Sequence, residues 1–294
     1  MSRVLLLDLG ETLIHGTTTV LPHVQEALAA LAEFKGDDGK PLQRALVSDT
    51  EMPPPPATPA KIKPIFDDYV ATLAALQLRS FFEPVSKHVT LSAHAGVGKP
   101  DRKVFALALK RLGVTAKLTD CVFVTENADH IRHCREELGM KTLQFGKDFT
   151  DWAEGPLLLA TMMAPGTTNL AAALQPWAAA RGLDNISLVE EQPGAAYAQA
   201  QMWVPISGAD LEEAEGSHVP LPVRIDLPAD SHGRITPRIG RPSPDDVKEA
   251  ASYVKGLVAR GEIGTDTGPL ATHRIETDDR GRRLLKRRGF KSAI

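Results

Sequence analysis

The sequence lacks the features that mark several large classes of protein. Its 294 residues include only two cysteines, Cys121 and Cys134, which cannot form a disulfide framework and suit a reducing cytoplasm. A formal net charge of −3 gives no overall attraction to nucleic acid or to a membrane surface. No apolar stretch approaches the length of a membrane span, and Asp8 and Glu11 interrupt the apolar run that a signal peptide would need. We therefore expect a cytoplasmic protein that has no membrane partner.

The length allows two domains, each large enough to bury its own core, and we place the boundary between residues 148 and 149. In the first domain, residues 4–7 form an unbroken apolar run, which is typical of a strand buried on both faces. An amphipathic pattern over 21–34 predicts a helix, and 44–47 predicts a second strand. This strand, helix, strand order favours an α/β fold with a doubly wound parallel sheet.

Polar residues stand where these strands end. Asp8 follows the first strand, Gly10 allows a sharp turn and a close approach of backbone to a ligand, and Thr12 offers a hydroxyl and an amide. Ser48 follows the second strand. Since ligands of open α/β sheets bind outside the carboxyl ends of the strands, this edge is the predicted site.

Residues 8–13, Asp-Leu-Gly-Glu-Thr-Leu, resemble the first motif of the haloacid dehalogenase (HAD) superfamily, whose usual form is Asp-x-Asp-Gly-Thr-Leu/Val. Ser48 occupies the place of the second motif, a Ser or Thr that hydrogen-bonds a phosphate oxygen. Lys99, followed by a proline and an apolar-faced helix, resembles the third motif. Glu126 stands in place of the first acidic residue of the fourth motif, and Asp129, or less well His130, in place of the second.

The resemblance covers about the first half of the chain and implies a HAD-like domain with no large cap inserted after the first motif. It also implies an aspartyl-phosphate on Asp8, with Lys99 neutralising charge and Ser48 and the amides near Thr12 binding the phosphoryl group. A Mg²⁺ cofactor would be held by Asp8, the Gly10 carbonyl and acidic residues of the fourth motif. Those acidic residues are Glu126 and Asp129.

Two positions depart from the family pattern. The phosphatases have an aspartate, their general acid/base, where this chain has Gly10, and the loss of such a group typically costs about 10²–10⁴-fold in rate. Glu126 is one methylene longer than the usual aspartate. We therefore expect a magnesium-dependent phosphatase, slow or specialised, that acts on a small phosphorylated substrate or a phosphoprotein.

Two alternatives to this function stay open. The first is a HAD scaffold with impaired catalysis that serves as a binding or regulatory module through its C-terminal domain. The second is a dehalogenase, which also lacks the second aspartate but usually carries a bulky aromatic residue and a cap.

A zinc site and a docking loop are further alternatives. Glu126, His130 and Cys134 are four residues apart and could line one helix face, where imidazole and thiolate suit zinc. Against zinc, the histidine could face solvent while the cysteine packs beneath the helix. Four prolines at 53–56 predict a stiff surface loop or, alternatively, a docking site for a proline-binding partner.

The second half, 149–294, resembles no family that we can name. Residues 149–169 are interpreted as a connector, and a helix is predicted from 170 to 181. Alternating segments predict several strands, a helix that begins at Ser243, and a hairpin near the C-terminus, which together favour an α+β domain with an antiparallel sheet. The strand segments are 186–190, 198–204, 219–227, 234–239, 272–276 and 282–286.

The C-terminal hairpin is rich in cations. Such a strand is usually a solvated edge protected from aggregation, while a nucleic acid or another anionic partner is the sharper alternative. Only Phe290 is available there for stacking on a base. The cations are Arg282, Arg283, Lys286, Arg287, Arg288 and Lys291.

Overall fold

A computed structural model of the protein describes most of the chain. The described residues are 4–36, 38–163, 167–192, 195–208, 211, 214–231, 233–264 and 271–288. The chain divides into two compact units, Met1–Ala180 and Arg181–Ile294. This division falls later than the boundary predicted after residue 148, because two helices that follow the last strand of the first unit pack onto that unit.

The first unit alternates strands and helices. In chain order its elements are β1 (Val4–Leu7), β2 (Ile14–His15), β3 (Thr19–Val20), α1 (Val24–Ala32), β4 (Gln43–Ser48), α2 (Pro59–Ala75), α3 (Val85–His88), β5 (Val89–Leu91), α4 (Ser92–Ala95), α5 (Arg102–Leu112), β6 (Cys121–Thr125), α6 (Ala128–Glu136), β7 (Lys141–Gln144), α7 (Gly155–Met163) and α8 (Thr167–Ala180). Two short 3-10 helices, Arg79–Phe82 and Leu118–Asp120, complete it.

Five of these strands form one parallel sheet in the order β5-β4-β1-β6-β7. All four residues of β1 are fully buried, as the unbroken apolar run predicted. The chain builds outward from β1 to β5 and then returns to the other side of β1, so the strand order reverses beside the central strand. The predicted α/β fold with a parallel sheet is confirmed for this unit, and such a reversal is where open α/β sheets bind ligands.

Helices α5 and α6 cover one face of this sheet. Val104, Phe105 and Ala108 of α5 pack with Phe123 of β6 and Cys134 of α6 in a buried apolar cluster. Helix α7 lies within the predicted connector, 149–169, and α8 corresponds to the helix predicted over 170–181; both pack against α1 instead. The connector is therefore part of the first unit.

The second unit contains most of the antiparallel pairing. Its elements are β8 (Leu183–Gln192), β9 (Ala195–Pro205), β10 (His218–Asp226), β11 (Arg238–Ile239), α9 (Pro244–Ala259), β12 (His273–Thr277) and β13 (Arg283–Arg287). The sheet order is β12-β13-β10-β9-β8, with β11 also paired to β10. The sheet is mixed rather than purely antiparallel as predicted, because β10 and β13 pair in parallel.

Helix α9 begins as its sequence predicts. Ser243 caps it, since its hydroxyl accepts the Asp246 N–H at 3.0 Å, and Pro244 occupies the first turn. Val254 and Leu257 on its buried side join a core with Leu221 of β10.

The C-terminal hairpin is present as β12 and β13, while Phe290 and Lys291 of the predicted basic tail lie outside the described residues. Within the part of the chain that the structure describes, no helix combines the length and apolarity needed to cross a membrane.

Candidate functional site

The candidate site is built around Asp8 at the carboxyl end of the central strand. Parallel register pairs Leu7 with Leu46 on one side and with Val124 on the other, so Asp8 lies between the ends of β4 and β6. The Asp8 amide donates to the Val124 carbonyl at 2.9 Å. Only 6% of the residue is exposed. A carboxylate this enclosed needs polar partners, because burial without them is costly.

Lys99 provides the main partner. Its ammonium forms an ion pair with Asp8 Oδ2, and the two side chains are only 2% and 9% exposed. The loop that carries the lysine is held to β4, since the Lys99 amide donates to Asp49 Oδ1 at 2.8 Å. The Leu9 amide satisfies Asp8 Oδ1 at 2.8 Å. The structure thus brings together two of the residues that the sequence predicted for the site.

Glu126 is linked to the same carboxylate through Thr125. The Thr125 hydroxyl is 3.0 Å from Asp8 Oδ2 and 3.1 Å from Glu126 Oε2. Thr12 fixes the glutamate, because its hydroxyl donates to Glu126 Oε2 at 2.6 Å and accepts the Glu126 amide at 3.0 Å. A threonine has one hydroxyl hydrogen, so the two carboxylates share that of Thr125. Burial raises the pKa of Asp8, Lys99 opposes that shift, and the charge of Glu126 adds to it.

This donor set suits a hard divalent cation. The charge of Glu126 contributes to the raised pKa of Asp8, so the two carboxylates lie near each other, and carboxylate oxygens are ligands of the kind that Mg²⁺ prefers. Asp129 does not join them: its carboxylate pairs with Arg132 at 2.8 Å on the exposed face of α6. Among the described residues no group of three or more His, Cys, Asp or Glu side chains could hold a metal. A cation here would depend on two carboxylates and a backbone oxygen.

The zinc alternative gains no support from the structure. Cys134 is buried, and burial raises the pKa of its thiol to about 12, which keeps it protonated. A protonated thiol is a poor zinc ligand.

Ser48 makes a contact that the sequence did not predict. Its hydroxyl lies 2.7 Å from the hydroxyl of Tyr69 on α2. Burial raises the pKa of Tyr69 well above its usual range, and the charge of Asp8 adds to that shift. In the sequence, Tyr69 stands among apolar residues that include Phe66 and Leu73 and are spaced like one side of a helix. A phenol hydroxyl on the buried side of a helix needs a hydrogen-bond partner. That need was the signal by which the sequence could have identified Tyr69.

Trp152, in the predicted connector, is the second residue that sequence reasoning missed. Its indole N–H donates to the Thr12 carbonyl at 2.6 Å, and the residue is fully buried. Its neighbour Asp151 lies 2.7 Å from His23 Nδ1. The segment after the last strand therefore holds the loop that carries Thr12.

Glu11 is badly suited to act as the general acid/base that the motif resemblance places at position 10. Its carboxylate accepts the Gly16 amide at 2.8 Å and lies 2.7 Å from His15 Nδ1. These contacts lower the pKa of Glu11, so at neutral pH it is ionised and holds no proton to donate. At Gly10 itself, an added Cβ would meet no atom within 4 Å. The site has room for the aspartate that the sequence lacks.

Comparison with known proteins adds no relative. No protein-family model matches the chain, and no curated protein matches it significantly. Function is therefore inferred from the geometry and from the motif resemblance.

Proposed function

We propose that the chain is a HAD-type, magnesium-dependent phosphatase that acts through an aspartyl-phosphate on Asp8. The observation that carries the proposal is the buried ion pair between Asp8 and Lys99, with the Thr125 hydroxyl on Asp8 and with Ser48 at the end of the neighbouring strand. A buried ion pair contributes little net stability, which favours a functional role, and the charges of this pair match a phosphoryl group and its cation.

Each residue has a role in this reaction. The Asp8 carboxylate displaces the leaving-group oxygen from phosphorus, and water then hydrolyses the aspartyl-phosphate to release inorganic phosphate. Lys99 neutralises charge on the nucleophile and on the phosphoryl oxygens, and Ser48 donates to one of those oxygens. Asp8, the Gly10 carbonyl and Glu126 would hold Mg²⁺, which supplies further charge neutralisation when bound.

The leaving group must depart without a strong proton donor. Gly10 has no side chain to protonate the leaving oxygen, and Glu11 is engaged by His15 and Gly16. Substrates whose leaving groups are stable as anions, such as aryl phosphates, would suffer least. The enzyme should therefore favour them over alkyl phosphates.

The test is hydrolysis of an aryl phosphate with and without Mg²⁺. We expect slow turnover that requires Mg²⁺ and is abolished by Asp8→Asn. Asp67→Asn is the matched control, because Asp67 is an exposed carboxylate on α2 that pairs with Lys63. Equal, negligible rates for the wild type and for Asp8→Asn would remove the phosphatase proposal.

A second variant tests the role of the missing acid. Gly10→Asp has the space it needs, and we expect it to raise turnover of an alkyl phosphate by about 10²-fold or more. Turnover of an aryl phosphate should rise less. No increase for either substrate would show that the cleft is built for a different reaction.

Two observations favour the alternative of an impaired scaffold that binds a partner through its C-terminal unit. The Lys99 side chain is only 2% exposed, and position 10 lacks its acid. In this case Mg²⁺ would raise the melting temperature of the wild type but not of Asp8→Asn, with no turnover in either protein.

We do not extend the proposal to a dehalogenase, since Gly10 places no aromatic side chain beside Asp8.

The partner proposed for the phosphatase is a small phosphorylated molecule or a phosphoprotein. Nucleic acid is the weaker proposal, because cations of the C-terminal hairpin have partners within their own unit. Arg282 pairs with Asp278 at 2.8 Å, Lys286 pairs with Glu276 at 3.0 Å, and Arg283 donates to the Glu215 carbonyl. Cations already paired contribute less to phosphate binding.

A further inference from the structure

The contact between Ser48 and Tyr69 joins the candidate phosphate site to helix α2. Ser48 is 3% exposed and ends β4, the strand next to β1. The hydroxyl of Tyr69 lies 2.7 Å from that of Ser48 and close enough to Asp8 for the carboxylate charge to affect its ionisation. Tyr69 therefore belongs to the surroundings of the nucleophile, although the motif resemblance assigns it no role.

The chemistry of two hydroxyls sets the direction of this hydrogen bond. Each hydroxyl has one hydrogen, so one of them donates and the pair keeps a single free hydrogen. A phenol is a stronger acid than an aliphatic alcohol, which favours Tyr69 as donor and Ser48 as acceptor. Ser48 then keeps its own hydrogen, and its acceptance of a hydrogen bond strengthens it as a donor.

We propose that Tyr69 is a positioning residue of the phosphate site, whose hydroxyl orients Ser48 so that the serine donates to an oxygen of the phosphoryl group. The inference rests on the proposed function, because it needs an oxyanion beside Asp8. Tyr69 does not itself touch the substrate in this arrangement. Its effect must therefore pass through Ser48.

The test is calorimetric titration of inorganic phosphate into the Mg²⁺-loaded full chain. We expect Ser48→Ala to weaken phosphate binding by about tenfold or more, since a hydrogen bond to a charged group is lost. Tyr69→Phe keeps the ring and should weaken binding by about fivefold, because Ser48 is no longer oriented. If Tyr69 acts through Ser48, the double variant should bind as weakly as Ser48→Ala alone. Tyr197→Phe, the same change in the second unit, is the matched control.

The outcomes separate this inference from the proposed function. Wild-type protein that binds no phosphate would overturn both. Phosphate binding that is equal in wild type and Tyr69→Phe would overturn only the role of Tyr69. Additive losses in the double variant would show that Tyr69 acts independently of Ser48, which also contradicts the inference.

A fluorine label tests the same contact without removing the hydroxyl. This test remains valid even if Tyr69→Phe fails to fold. The chain has three tyrosines, and 3-fluorotyrosine would give each a ¹⁹F resonance. The Tyr69 signal is assigned by elimination with Tyr197→Phe and Tyr253→Phe. We expect phosphate to shift this signal in the wild type but not in Ser48→Ala. An unmoved Tyr69 signal in phosphate-saturated wild type would overturn the inference.

Discussion

The two units pair acids with cations in different surroundings. In the first unit the side chains of Lys99 and Asp8 are 2% and 9% exposed, at the carboxyl end of a fully buried strand. In the second unit the side chains of Lys286 and Glu276 are 43% and 30% exposed, along the C-terminal hairpin. Because water and salt screen the second pair, the two ion pairs should contribute very differently to the free energy of unfolding. The loss of one partner should therefore cost much more in the first pair than in the second.

Removing Lys99 should produce the largest loss of stability. Lys99→Met leaves the Asp8 carboxylate buried without its cation, and we expect the free energy of unfolding to fall by about 3–5 kcal/mol. Urea unfolding gives the magnitude, and hydrogen exchange shows whether the loss is confined to the first unit. A loss below about 1 kcal/mol, the range of exposed pairs, would remove the contrast between the units.

The loss caused by Lys99→Met should also depend on pH. Without Lys99, the pKa of Asp8 should rise further above its unfolded value, so the folded state binds the proton more tightly than the unfolded state does. The variant therefore gains stability as pH falls, and its deficit should be smaller near pH 5 than near pH 8. A deficit that is constant across this range would mean that the lysine stabilises by packing alone.

Trp152→Phe compares a buried indole hydrogen bond with an exposed one. It removes the N–H that satisfies the Thr12 carbonyl, and we expect a loss of about 2 kcal/mol. Trp203→Phe in the second unit is the control, since its N–H donates to the exposed carboxylate of Asp184 and water can replace it. Urea unfolding checks both variants. Equal losses would contradict the view that the connector supports the site.

Acid should weaken the first unit through a half-buried histidine. Burial, with Arg111 nearby, lowers the pKa of His94 to about 4, and its Nδ1 accepts the Leu91 amide at 3.1 Å. Between pH 6.5 and 4 the unfolded chain binds the proton that the folded chain excludes, so stability is lost as pH falls. His94→Gln should reduce the slope of the unfolding free energy against pH. The reduction should correspond to the uptake of at most one proton on unfolding. An unchanged slope would assign the loss to other groups, such as His130.

Continuous burial is one property that let the sequence predict part of the fold. β1 is apolar at every position because helices or loops cover both faces of its sheet, and a strand with one face in water would alternate apolar and polar residues instead. Parallel pairing between β10 and β13 has no such local signal, since it depends on where two distant segments meet. The boundary between the units was likewise set by the packing of α7 and α8 on α1.

The residues of the site also divide into those that the sequence could predict and those that it could not. Asp8, Ser48 and Lys99 stand at strand ends or in the motifs that the family resemblance supplied, so sequence could propose them. Tyr69 and Trp152 reach the site from a helix and from the segment after the last strand, and no spacing rule connects them to it. Their polar atoms were the only hint, because buried hydroxyl and indole groups require partners.

The smallest effect is expected from Lys286→Met. Glu276 also pairs with Arg274, so removal of the lysine leaves no uncompensated charge. Glu276 is accessible to water, which can solvate the carboxylate in both the folded and unfolded states. We therefore expect a change in unfolding free energy within experimental error, and unchanged hydrogen exchange in β12 and β13. A loss comparable to that of Lys99→Met would mean that the hairpin pair is as strongly coupled as the buried one. Exposure of the side chains would then no longer predict how much an ion pair of this protein contributes to its stability.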